Sequence, residues 1–211
     1  MSKQSDLHDV DILQPPLYYP SGRTTDIVTA IRSGEWLNVT NLWIYRIGAS
    51  IEILFQKRDE LSPMFPGLLD CSVAGYLAAG EDPIQGAVRE SKEEFDLTIE
   101  PSDVKAWGRH FNAGLDAKGR ERKLVINENI YQLKGVDYRL QPNPEEVSAY
   151  FWIDTKQVAA IKDGHGVEIE GFTNRGDILR QVVDRSGFVY NVDDYHFRIV
   201  EQIQNYCINH G

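Results

Sequence analysis

From Gly75 to Leu97 the chain reads GYLAAGEDPIQGAVRESKEEFDL, and Gly75, Glu81, Arg89, Glu90, Glu93 and Glu94 fall at spacings that suit a turn feeding a metal-binding helix. Asp82 is placed to cap that helix and Pro83 to open it, since the first turn leaves its N–H groups unpaired and proline has none to lose. At about 100° per residue, Ile84, Ala87, Val88, Ser91 and Phe95 share a face that can pack on a sheet. Glu90, Glu93 and Glu94 gather about a third of a turn away, as one ridge of carboxylates. Arg89 and Glu93, four apart, can pair, whereas Glu90 and Glu94 are a like-charge pair costing roughly 0.2–0.5 kcal/mol. A cation between them offsets that cost. Oxygen-only donors select hard ions such as Mg2+ or Mn2+, which keep several waters and accept phosphate oxygens. The chemistry expected is the cutting of a diphosphate.

A glutamate-rich helical run taken alone is more often a solvated face laced with ion pairs. Such a face has no need of a glycine and a glutamate at fixed distances upstream. The whole pattern resembles the Nudix hydrolase signature: Gly, five residues, Glu, seven residues, Arg, Glu, an apolar residue, any residue, Glu, Glu, any residue, Gly, an apolar residue. Gly75, Glu81, Arg89, Glu90, Glu93, Glu94 and Leu97 match it. Ser91 stands where the signature has an apolar residue, and Asp96 where it has its last glycine, at a helix end that favours positive φ. Neither change removes a metal ligand. The resemblance implies an α/β fold, a Nudix-type α/β/α sandwich with a mixed β-sheet. It also implies metal ligation by Glu90, Glu93, Glu94 and the Gly75 carbonyl, with Glu94 or Glu93, or a carboxylate from a different loop, as general base. Arg89 is expected to orient Glu93, and Glu81 to brace the loop or act as an outer ligand.

Beyond the signature, Gln56-Lys57-Arg58, Phe65-Pro66-Gly67 and Ser72-Val73-Ala74-Gly75 are similar to Nudix proteins related to isopentenyl diphosphate isomerase. In those isomerases a catalytic cysteine precedes the glycine and a metal-binding histidine follows it; this chain has Ala74 and Tyr76 there, and Cys71 comes three residues too early. The isomerases' N-terminal metal histidines have no counterpart around Trp36 to Trp43, and their later Glu-Asn-Glu segment reads Asn127-Glu128-Asn129 here. The expected function is therefore metal-dependent hydrolysis of a pyrophosphate bond in a nucleoside- or other organic-diphosphate-linked compound. The alternatives are an isomerase-like protein acting on prenyl diphosphates and a non-catalytic Nudix ligand sensor. Arg58 is a candidate for a terminal phosphate, Glu145 or Glu146 for an acidic group beside the site, and Tyr76, Trp43, Trp107 or Phe111 for ring stacking. Nucleotide sugars, ADP-ribose-like compounds, nucleoside di- or triphosphates and thiamine diphosphate all stay open as substrates.

The 211 residues, 42% of them hydrophobic, suffice for one sizeable core. A formal net charge of −10 argues against nucleic acid or an anionic membrane as partner. It also means that an anionic substrate needs bound cations to approach. With no apolar run of transmembrane length and no basic, apolar leader, the expected location is cytoplasmic. Cys71 and Cys207 read as buried thiols. The domain reading is an extension over residues 1–35 packing on the core, a Nudix domain over 36–163, and a C-terminal excursion and helix over 164–211 belonging to the same domain.

Residues 1–22, polar and proline-interrupted, read as partly disordered or lying over the core. A short helix capped by Thr24 or Thr25 should run to Ile31. Strands are expected at 42–46 and 51–56 as a hairpin, then at 104–111, 124–133 and 147–153, with an apolar segment at 68–74 leading to Gly75. A loop holding Pro63, Pro66 and Gly67 precedes that segment. Helices are expected at 155–162 and 194–209, the last with an apolar stripe of Ile199, Val200, Ile203, Tyr206 and Cys207. Residues 162–190, with five glycines and His165 as a loop histidine, form an excursion that could cover the site or mediate a homodimer.

Overall fold

A computed structural model describes residues 9–14, 19–62, 64–115, 121–135, 140–189 and 194–210. Pro63, Tyr190, and residues 1–8 and 15–18 of the N-terminal stretch lie outside them. In chain order the elements are β1 (Asp9–Gln14), β2 (Tyr19–Asp26), α1 (Ile27–Arg32), β3 (Trp36–Ile47), β4 (Ile51–Arg58), β5 (Leu69–Asp70), β6 (Val73–Tyr76), α2 (Pro83–Phe95), β7 (Lys105–Leu115), β8 (Glu121–Gln132), β9 (Val147–Asp154), α3 (Thr155–Lys162), β10 (Val167–Thr173), β11 (Ile178–Val183) and α4 (Tyr195–His210). This is a mixed α/β fold with a large antiparallel sheet and few helices. By contact the chain divides into two compact units: Met1–Leu42, Ala74–Lys92 and Thr98–Ile130 form one, and Trp43–Val73, Glu93–Leu97 and Tyr131–Gly211 the other. β3, α2 and β8 continue from one into the other.

In the first unit β1 pairs antiparallel with β2 and touches β3 at Leu13↔Trp36, and β7 pairs with β8. Its core joins Val10, Ile12, Ile27, Ala30, Leu37, Val39, Leu124 and Ile126. Of the stretch expected to be partly disordered or to lie over the core, the described residues 9–14 and 19–22 are strand, and Val10 and Ile12 join this core. The helix cap also differs from expectation. Thr24 and Thr25 are held in β2 opposite Asp11 and Val10, and the Asp26 carboxylate accepts the Thr29 N–H at 2.9 Å instead.

In the second unit β4 lies between β3 and β9, with Ile53 opposite both Tyr45 and Ile153. β9 passes to β10 and β10 to β11. The glycine-rich excursion is thus mostly a hairpin, turning at Gly176 with φ 83°, where its N–H donates to Thr173 O at 2.9 Å. Asp154 caps α3 in a reciprocal capping box with Gln157. Trp43, Phe55, Phe188 and Tyr195 form the aromatic heart around His196, whose ring is 1% exposed. On α4, Val200, Ile203 and Cys207 are buried as the stripe requires. Both cysteines are buried thiols outside any disulfide. His165 sits exposed in a loop.

Candidate functional site

The apolar segment leading to Gly75 forms β5 and β6, and α2 starts at Pro83 with the Asp82 carboxylate accepting the Ile84 N–H at 2.9 Å. Strand, loop and helix follow in the order expected. α2 ends with Asp96 at φ 53°, so the position where the signature keeps glycine does take the left-handed conformation, which aspartate tolerates better than most residues. Ser91 is fully buried and returns its hydroxyl to Ala87 O at 2.7 Å, which satisfies the polar group that replaces an apolar one.

The residue most tightly built in is Glu90, 3% exposed. Its side chain lies on Gly75: a Cβ added there would fall 1.9 Å from Glu90 Oε1. The glycine is thus required by close approach of a carboxylate rather than by a turn. Arg89 Nη1 donates to the same Oε1 at 2.8 Å. The rest of the guanidinium forks onto Glu81, at 2.8 and 2.9 Å, and reaches Tyr76 O at 3.0 Å. Glu81 in turn accepts the Ala78 N–H at 2.8 Å, so of its two expected roles the loop brace is the one the geometry carries. The Glu81 hydrogen bond, against the opposing effect of burial and with help from Glu90, pushes the Arg89 pKa up, so its charge is permanent. The Arg89 guanidinium thus fixes Glu81 and Glu90.

On the next turn Glu94 is also buried, at 4% exposure, and accepts Gln56 Nε2 at 3.1 Å. Gln56, 2% exposed, is a site residue that sequence reasoning passed over, since a glutamine in a strand carries no signal of its own. Glu93 is exposed, so the three carboxylates do not share one ridge: two turn inward and one outward. The reason is that the buried stripe of α2 is wider than the apolar residues alone suggested. It takes in Gly86, Ala87, Glu90, Ser91, Glu94 and Phe95.

The loop carrying Glu145 and Glu146 is tied to the end of this helix, with Asn143 N–H donating to Glu94 O at 2.7 Å and Gln141 N–H to Phe95 O at 3.3 Å. That brings the expected acidic segment to the helix; Glu145 is exposed and Glu146 half-buried. Arg58, proposed for a terminal phosphate, is instead engaged inside the fold. It donates to Met64 O at 3.0 Å, Ser62 Oγ at 3.0 Å and Asp70 Oδ2 at 3.3 Å. Asp70 also meets His196 Nε2 at 3.3 Å. Burial alone would raise the Asp70 pKa, but the His196 hydrogen bond and the charges of Arg58 and His196 outweigh it and hold the carboxyl below its ordinary value. Tyr76 is half-buried: its ring packs on the first unit's core, the Arg122 guanidinium lies 5.7 Å from the ring centroid, and its hydroxyl is buried. Trp43 is fully buried core. Phe111 is 47% exposed and meets Trp36 edge-on.

The oxygen-only donors on α2 suit a hard cation, and Glu90 lies against the Gly75 backbone. Among the described residues no group of three or more His, Cys, Asp or Glu side chains converges as a ready-made cage. That is compatible with Mg2+, which is usually held by one or two carboxylates plus substrate phosphates and water. Among the described residues no helix is long and apolar enough to cross a membrane.

The family model described as NUDIX domain matches residues 37–172. The chain is 28% identical over 168 residues to an uncharacterised Nudix hydrolase of Clostridium acetobutylicum, covering 77% of this chain and 78% of that one. It is 30% identical over 107 residues to an isopentenyl-diphosphate Delta-isomerase of Clavibacter sepedonicus, covering 50% of this chain and only 54% of the isomerase. Among solved structures, that of DR0079 from Deinococcus radiodurans aligns with a TM-score of 0.54 at 18% identity, over 75% of this chain and 91% of that one, a likeness of fold.

Proposed function

This chain belongs to the Nudix family of hydrolases, a pyrophosphohydrolase by class, and on that premise we propose that it cleaves a diphosphate-linked organic compound with a divalent cation held on α2. The observation that carries the reading is the buried Glu90 carboxylate seated on Gly75 and fixed by Arg89. Glu90 and Glu94, one turn apart, with the Gly75 carbonyl, would hold Mg2+ or Mn2+. The ion would supply positive charge to the phosphate oxygens, which the chain's own net charge of −10 does not. Glu93, on the outer side of the same turn, contributes from the solvent face. The proton of the attacking water passes to Glu94 or Glu93. Arg89 is a positioning residue: its guanidinium fixes Glu81 and Glu90 and need not touch substrate. We read residues 36–163 as the Nudix domain proper, with residues 1–35 as an extension and 164–211 as part of the same domain.

An isomerase reading is less well supported, because Ala74 stands in the isomerase cysteine's place with no proton to relay and Tyr76 in the histidine's place with no imidazole to ligate metal. The test is a panel of diphosphates: a nucleotide sugar, an ADP-ribose-like compound, a nucleoside triphosphate, thiamine diphosphate and isopentenyl diphosphate. Each is incubated with Mg2+ or Mn2+ and, in parallel, with a chelator. Phosphate-bearing products that need the metal are expected. Tight binding with no turnover would convert the reading to a sensor, and double-bond migration in isopentenyl diphosphate would convert it to an isomerase.

A further inference from the structure

We propose that Thr40 and Asn129 are positioning residues for the reaction: their hydrogen-bonded clasp on the first residue of α2 sets where the Glu90 carboxylate meets Gly75. This rests on the hydrolase reading above and adds to it the residues that hold its helix in place. The clasp runs in one direction, from β8 through β3 to the helix. Asn129 Nδ2 donates to Thr40 Oγ1 at 2.9 Å, and the Thr40 hydroxyl donates its single proton to Pro83 O at 2.9 Å. Thr40 is 0% exposed and Asn129 1%. A hydroxyl and an amide sealed from water in this way are costly unless they are bonded, and valine and leucine would fill the same space without that demand. Their polar ends are aimed at α2, which an apolar core would leave free to slide.

Neighbouring contacts hold the same parts. Asn129 Nδ2 also reaches Asn127 O at 3.2 Å and Asn41 O at 3.3 Å, and Asn127 Nδ2 donates to Asn38 Oδ1 and Val39 O, both at 2.9 Å. Asn38 O in turn accepts the Leu77 N–H at 3.1 Å, just beyond the strand end that carries Gly75. One network therefore grips both the glycine's strand and the helix of Glu90, and buried networks that are fully bonded rigidify and select one packing. The Thr40 methyl adds a second point of contact one turn along α2. A Cβ added at Gly86 would fall 3.4 Å from that methyl and 2.2 Å from Leu77 Cδ2, so the helix lies close on both. Pro83 and Glu90 are nearly two turns apart, about 10 Å along the axis and on almost the same face. A shift at Pro83 is carried to Glu90, which has no slack to absorb it, since its Oε1 lies 1.9 Å from where a Gly75 Cβ would be.

The experiment compares the unaltered chain with Thr40→Val, which keeps the shape and loses the hydroxyl, with Thr40→Ser, which keeps the hydroxyl, and with Asn129→Leu. Mn2+ alone is titrated into each folded protein, the free ion being followed by electron paramagnetic resonance, and amide exchange is recorded without metal. Groups that hold metal ligands in place carry roughly 10–100-fold in affinity, so Thr40→Val and Asn129→Leu should weaken Mn2+ binding at least about tenfold and Thr40→Ser no more than about twofold. Amides from Ala87 to Glu90 should exchange about tenfold faster in Thr40→Val, with those of α1 unchanged, as a local loosening requires. A merely structural role gives a different pattern: parental Mn2+ binding by folded Thr40→Val, and exchange that rises alike in α1 and α2. That pattern, or equal weakening by Thr40→Val and Thr40→Ser, overturns the proposal. Should the unaltered chain bind no Mn2+ and hydrolyse none of the diphosphate panel, the hydrolase reading fails and exchange alone judges the clasp. Faster exchange at Ala87 to Glu90 in Thr40→Val and not in Thr40→Ser then upholds it, and unchanged exchange there overturns it.

Discussion

Glu94→Gln is expected to lower kcat by roughly two to four orders of magnitude, the range of a positioned acid–base group, while leaving the protein folded. The substitution keeps the shape of the side chain, and its amide oxygen can still accept from Gln56 Nε2, now 3.1 Å from Glu94 Oε2. The buried packing of α2 is therefore preserved. What is lost is a negative charge that can hold a cation or take a proton. Thermal unfolding of the variant should stay within a few degrees of the parent. A variant turning over at near-parental rate would remove Glu94 from the site altogether.

Gly75→Ala should be as damaging to activity by a different route. The added methyl would sit 1.9 Å from Glu90 Oε1 and 2.0 Å from its Cδ, so the carboxylate must move. It has little freedom to do so, being 3% exposed and held by Arg89 at 2.8 Å. Overpacking of this kind costs about 1–3 kcal/mol. The cause can be separated from general misfolding by adding Glu90→Ala to the same chain. If the clash is with Glu90, the double variant is more stable than Gly75→Ala alone and still inactive, giving a coupling that distant sites would not show. Stability effects that simply add would refute the close approach as the reason for the glycine.

The strand, loop and helix that hold the site were legible because each has a local signature: Asp82-Pro83 at the start, the glutamates on one side, and Asp96 with φ 53° at the end. Which way the glutamates turn was not legible. The burial of Glu90 and Glu94 depends on Gly75, Gln56 and Arg89, partners brought by β6, β4 and the guanidinium fork, and a helical wheel carries no record of them. The internal partners of Arg58 and Tyr76 were hidden for a related reason. A basic or aromatic side chain near a signature looks available until its own partners are known, and here they are Asp70, Ser62 and Met64 for the one and the β1–α1 core for the other. The N-terminal strands escaped notice because prolines interrupt a short alternation whose cross-strand partner is its own neighbour. The register shift between Ala106 and Gly108, which leaves Trp107 as a β-bulge, was invisible because it exists only once β7 and β8 are paired.

The account stands on Glu90 and Glu94 of α2 holding a divalent cation, and calorimetric titration of Mn2+ into the protein tests that most directly. A non-hydrolysable diphosphate analogue should be present, with the parent, Glu90→Gln and Glu94→Gln compared at equal folding. Saturable binding by the parent that weakens at least about tenfold in each variant, about 1.4 kcal/mol, is the predicted result. Binding of equal strength in all three proteins would contradict it.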